Sequence, residues 1–258
     1  MPKYIEVEDA RNMSGLRLVL SPGVPGPWSE AAKGIFYAKK IAYIPVRQKM
    51  GIDPVLREWT AQDSAPVAIY NDERPRSTWI DQLYLAERLA PEPALIPKAT
   101  GDRVAMFGYS NELCGENGFS WSKRLLLFHT SLTAPGASEQ VLALTRVLAV
   151  KYGYDVAKVD DSRARIVEIL RALSARLEQQ RSAGSRYFIG NQLSALDIYW
   201  ACFCAIINPL PDDLCPMAPE FRKAYTNKDP AVAAAVSPLL YEHRDFIYHQ
   251  YLELPVDN

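Results

Sequence analysis

Prolines at 91, 93 and 97 leave the stretch Pro91-Glu92-Pro93-Ala94-Leu95-Ile96-Pro97 unable to carry a helix. Each removes an amide donor and crowds the turn before it. The pattern of the chain changes there. Before the break, short apolar runs bounded by glycine and proline alternate with helix-forming stretches; beyond residue 100 the apolar spacing is helical almost throughout. The break predicts an α/β part over residues 1–92 and an all-helical part over residues 93–258.

Within the first part, Leu16-Arg17-Leu18-Val19-Leu20 reads as a buried strand, and Ser21-Pro22-Gly23-Val24-Pro25-Gly26-Pro27 as a loop. Ser29 stands where an N-cap would, with Glu30 suited to the positive end of a helix running from about Ser29 to Lys40. Ala42 to Val46 reads as a second strand, at an edge because of Pro45, and Ala65 to Tyr70 as a third. Thr78 to Ala90 has helical spacing. In the second part the clearest helix carries Ile166, Ile169, Leu170, Leu173 and Leu177 on one face.

A chain of 258 residues, 48% apolar and 23% charged, has the composition of a globular protein with sizeable cores. The 29 basic and 30 acidic residues are spread along it, so it has no basic footprint for nucleic acid and no polybasic membrane segment. Neither a leader-like N-terminus nor a run of membrane-spanning length is present, and a cytoplasmic location is expected. Cys114, Cys202, Cys204 and Cys215 form no CxxC pair, and the three histidines are scattered, so no metal site is expected and the thiols read as buried and reduced.

One segment is more specific. Tyr187-Phe188-Ile189-Gly190-Asn191-Gln192-Leu193-Ser194-Ala195-Leu196-Asp197-Ile198 predicts a reciprocal cap, Ser194 accepting from the amide of residue 197 while the Asp197 carboxylate reaches back to the amide of Ser194. The apolar run Ile198 to Ile207 then reads as a fully buried helix. This segment resembles the signature of the cytosolic glutathione transferases, and Ala65-Pro66 resembles their second one, whose proline is cis at the start of the third strand. The resemblance implies a thioredoxin-like α/β N-terminal domain followed by an all-α C-terminal domain, assembled as a homodimer. It further implies that the cosubstrate is glutathione and the second partner a small hydrophobic electrophile.

The resemblance also implies roles for individual site residues. Ala65 and Pro66 would meet the cysteinyl backbone of glutathione as an added strand. The γ-glutamyl group would meet Ser77 and Thr78, where the usual acid is replaced by Ser77; in the neighbouring register the pair is Arg76-Ser77. Such enzymes hold glutathione as its thiolate, each unit of pKa lowering requiring about 1.4 kcal/mol. The family places a serine, tyrosine or cysteine between the first strand and first helix, and this loop offers Ser29 and Ser21, as in the theta-like, beta-like or fungal and bacterial etherase-like serine-type members. Matching Ile35-Phe36-Tyr37-Ala38-Lys39-Lys40 to the first helix of the theta-like and fungal or bacterial members puts the activating position at Trp28 or Ser29; Trp28 would otherwise line the pocket or pack. Tyr109, Glu112, Trp121 and Arg124 fall on helices that wall the second-substrate site in this family. A different class also fits: a ligand-binding or interaction protein that keeps the fold without the chemistry.

Overall fold

The computed structural model describes residues 3–49 and 53–256; residues 1–2, 50–52 and 257–258 of the two predicted parts lie outside the described residues. The first part runs α1 (Val7–Ala10), β1 (Leu16–Leu20), α2 (Pro27–Ala38), β2 (Ile44–Arg47), α3 (Pro54–Thr60), β3 (Val67–Tyr70) and α4 (Trp79–Leu89). The strands form a sheet of order β2-β1-β3, with β1 parallel to β2 and antiparallel to β3. Strand β1 is central and buried along its whole length. Its alternation sorts two cores: Leu16, Leu18 and Leu20 join the large core shared with α2, α4 and the helical part, while Val19 joins Val7, Val46, Leu56, Val67 and Ile69. Pro45 does sit on an edge strand, whose outer side is partly covered where the Ile5 amide donates to Pro45 O at 2.9 Å. Beyond β3, Arg76 returns to exchange two 2.9 Å backbone hydrogen bonds with Ala68.

The first helix of the sheet-bearing part after β1 departs from expectation. Gly26 is its N-cap and Pro27 its first residue, so Ser29 lies inside the first turn and is not the cap. Proline is favoured at that position because its missing amide is one the helix start leaves unpaired anyway. The helix stops at Ala38, and Lys40 comes two residues later with a φ of 56°.

No helix or strand spans residues 91–97. The second part is helical: α5 (Thr100–Cys114), α6 (Phe119–Thr133), α7 (Glu139–Lys151), α8 (Val159–Ser182), α9 (Ala195–Phe203), α10 (Pro219–Tyr225), α11 (Pro230–Ala235) and α12 (Pro238–Tyr251). The predicted face of α8 is the buried one, from Ile166 to Leu177. Ser194 and Asp197 form the expected capping box of α9, with the Ser194 amide donating to Asp197 Oδ2 at 2.8 Å. Every residue of α9 is buried, and α9 is the post on which α2, α5 and α12 lean. All four cysteines are free and buried, and burial pushes the Cys204 thiol up to about 12. The tail packs against α2, with Leu252 near Gly34 and the Val256 amide bonded to Leu214 O at 2.7 Å. Among the described residues, no helix is long and apolar enough to cross a membrane.

Candidate functional site

The sequence-predicted residues lie at the end of β1, at the starts of α2, β3 and α4, and on α5 and α6. At the end of β1, the half-buried Ser21 donates its hydroxyl to Gln48 Oε1. Gln48 in turn donates to Asp63 O at 3.1 Å, and Asp63 pairs with Lys151 of α7 at 2.5 Å. The Lys151 ammonium holds the Asp63 carboxyl below the usual carboxylate range. A line of polar contacts therefore crosses from the strand end to the helical part.

A second group begins at α2. Ser29 is buried, and beside it Trp28 reaches over to the helical part, its Nε1 donating to Cys114 O at 2.9 Å. The Trp28 ring packs edge-on against Phe203 of α9, centroids 5.1 Å apart. The guanidinium carbon of Arg124 lies 4.1 Å from the Trp28 centroid, 4.1 Å from that of Tyr152 and 5.4 Å from that of Trp121. Trp28, Trp121 and Arg124, predicted separately, thus form one cluster with Tyr152. Desolvation in it pulls the Arg124 pKa down. Nearby, the space between Trp28, Trp79, Gln82 and Tyr199 is only about 10 Å³, at the threshold for a single water, so α2 is closely packed here.

Ala65 and Pro66 are joined by a cis peptide bond at the head of β3. Thr78 caps α4, accepting from the Asp81 amide at 3.1 Å and donating to Asp81 Oδ2 at 3.0 Å. Ser77 and Thr78 are both exposed. The Asp81 carboxyl is held low, chiefly by its hydrogen bond from Arg74 and despite partial desolvation. Buried Gln82 ties the two segments, donating to Pro66 O at 3.2 Å and to Arg76 O at 3.1 Å. Tyr109 is half-buried against the main core, and Glu112 is engaged by Arg165 across α5 and α8.

Sequence patterns do not single out Gln48, Asp63, Asp81, Gln82, Lys151 or Tyr152. For Asp81 a signal exists, since a threonine with an acid three residues later is a capping-box pattern. For the Asp63–Lys151 pair, separated by 88 positions, no local signal exists.

Residues 156–227 match the family model described as the glutathione S-transferase C-terminal domain. No curated protein matches the chain. Solved structures do. A glutathione S-transferase from Methylobacillus flagellatus with glutathione bound has a TM-score of 0.62 at 15% identity, over 92% of this chain and 96% of that one. A glutathione transferase family member from Pseudomonas fluorescens with two glutathione bound has a TM-score of 0.63 at 10% identity, over 95% and 94%. A glutathione S-transferase from Methylobacterium radiotolerans in complex with glutathione sulfonate has a TM-score of 0.62 at 12% identity, over 92% of each chain. With a three-stranded mixed sheet and its flanking helices leading into an all-helical second part, the chain has the glutathione transferase fold: a thioredoxin-like N-terminal domain followed by an all-helical C-terminal domain.

Proposed function

We propose that the chain is a serine-type glutathione transferase, which holds glutathione as its thiolate for attack on an electrophile bound between the two domains. The observation that carries this reading is the start of α2: Trp28 and Ser29 occupy its first turn, where Trp28 contacts Cys114 and Arg124 of the helical part. The unpaired first-turn amides and the dipole of a 12-residue helix favour negative charge at that point. Ser29 is the preferred hydroxyl donor to the sulfur and Ser21 the second candidate. Ala65 and Pro66 would receive the cysteinyl backbone, and Thr78 the γ-glutamyl end. Solved structures of the same fold contain glutathione, which supports the choice of cosubstrate. Assembly as a homodimer belongs to the same proposal.

Trp28 favours a second reading as well. Its ring fills space between α2 and the helical part, and the usual acid at 77 is a serine, which together suit a binding protein without strong glutathione use. Retention on immobilised glutathione, with ultraviolet absorbance of the bound thiolate, separates the two. Retention and a Ser29→Ala shift of the thiol pKa toward its free value of about 8.5 support the enzyme. An unchanged titration in Ser29→Ala moves the role to Ser21, and no retention leaves the binding protein.

A further inference from the structure

Arg124 differs from Arg163, Arg165 and Arg76. Arg163 pairs with Asp229, Arg165 with Glu112, and Arg76 with Glu73. Among the described residues, Arg124 has no ion pair and donates to no oxygen, and none of its nitrogens is sealed from solvent. Its surroundings are instead the rings of Trp28, Tyr152 and Trp121. The groups whose charge would reach it are the phenols of Tyr152 and Tyr225, and burial pushes the latter up to about 12. A cation held among rings keeps its in-plane donors free, and those donors match a carboxylate in two parallel bonds.

We propose that Arg124 determines specificity in the second-substrate site by receiving a carboxylate, so that the electrophile this chain selects is a carboxylic acid. The inference rests on the glutathione reading above, because the stacked Trp28 places Arg124 against the first turn of α2, where the sulfur would be held. In that reaction the thiolate sulfur bonds to the electrophilic carbon and the leaving group departs with the bonding pair of the bond that breaks. The thiol proton has already passed to solvent. Arg124 takes no part in the bond changes; it positions the acid.

The test compares two unreactive probes, 4-nitrobenzoate and 4-nitrobenzamide, by calorimetry on the whole chain. Wild type should bind the carboxylate roughly tenfold or more tighter than the amide, the worth of one charged hydrogen bond. Arg124→Leu should abolish that preference while Arg124→Lys retains part of it. Equal affinities in wild type, no binding of either probe, or a preference that survives in Arg124→Leu overturns the proposal. If Arg124→Leu does not fold, the wild-type comparison and Arg124→Lys still decide, since a preference unmoved by lysine argues against a bidentate guanidinium. Retention of wild type on immobilised glutathione is measured alongside. Loss of retention with the carboxylate preference intact removes the glutathione reading and leaves the acid site standing.

Discussion

His243 Nε2 lies 3.0 Å from Asp197 Oδ1, and both side chains are wholly buried. The same carboxylate accepts from the amides of Phe188 at 2.9 Å and Ser194 at 2.8 Å, and from the Ser194 hydroxyl at 2.7 Å. One acid therefore joins the loop before α9 to the start of α9 and stands beside the middle of α12. Asp197→Asn swaps one acceptor oxygen for an amide that meets donors, and should lower stability by about 3 kcal/mol. Ser194→Ala loses part of the cap and should cost about 1 kcal/mol. Urea denaturation of both variants measures the ratio, and equal losses would show that the carboxylate matters only as a cap.

The contact of α2 with α9 depends on Gly34. A Cβ there would stand 3.0 Å from Ile198 Cγ2, 3.1 Å from Leu252 Cδ2 and 3.6 Å from Cys202 Sγ. Gly34→Val should destabilise by about 2 kcal/mol through overpacking. Gly34→Ala should lie nearer zero, because better helix propensity offsets tighter contacts by about 1 kcal/mol. Thermal melts of the pair give the comparison; a valine variant as stable as wild type would mean that the two helices separate easily.

Lys39 is buried, and its ammonium bonds Glu87 at 2.6 Å and Pro93 O at 2.7 Å, while Glu87 also accepts from the Leu95 amide at 2.9 Å. The end of α2 is thereby tied to α4 and to the proline-rich segment. Lys39→Met keeps the apolar stem but leaves Glu87 and Pro93 O short of a donor, and should cost about 2 kcal/mol. Hydrogen exchange at Leu95 should speed up more than exchange in β1. A uniform change across both would point to loss of global stability alone.

The central strand, the cap at Ser194 and the apolar face of α8 are legible in the sequence because they rest on period and on local hydrogen bonding, which neighbouring residues encode. Ser29 misleads because its N-cap preference loses to Pro27, whose fixed φ starts the helix earlier. In the site, Trp28, Trp121 and Arg124 are each visible, but their convergence with Tyr152 arises from how α2, α6 and α7 pack. The chain of contacts from Ser21 through Gln48 and Asp63 to Lys151 is likewise tertiary, and no spacing announces it.

That chain of contacts should respond to acid. The Asp63 carboxyl is held low by Lys151, so its contribution is present above the ordinary carboxylate value of about 3.9 and fades as pH falls through the lower folded value. The pair is partly exposed, so its worth is within about 1 kcal/mol and is screened by salt. Lys151→Gln should reproduce at neutral pH the faster exchange of residues 61–65 expected of wild type once the pH has fallen through the lowered Asp63 value. If Lys151→Gln leaves exchange of residues 61–65 unchanged at neutral pH, the bridge is not a tie in solution.

Trp28 gives the sharpest test of the cleft itself, because it makes three different contacts with the helical part: the hydrogen bond to Cys114 O, the edge contact with Phe203 and the stack on Arg124. Trp28→Phe preserves ring contacts and loses the hydrogen bond, and should cost about 1 kcal/mol. Trp28→Ala removes all three and should cost about 3 kcal/mol. The two readings of function diverge on the binding behaviour of this alanine variant. If Trp28 is a wall of the substrate site, Trp28→Ala weakens binding of the electrophile. If it is a plug, the same variant admits an apolar fluorescent dye that wild type excludes. Dye binding that is unchanged, together with unchanged electrophile affinity, would reduce Trp28 to interdomain packing.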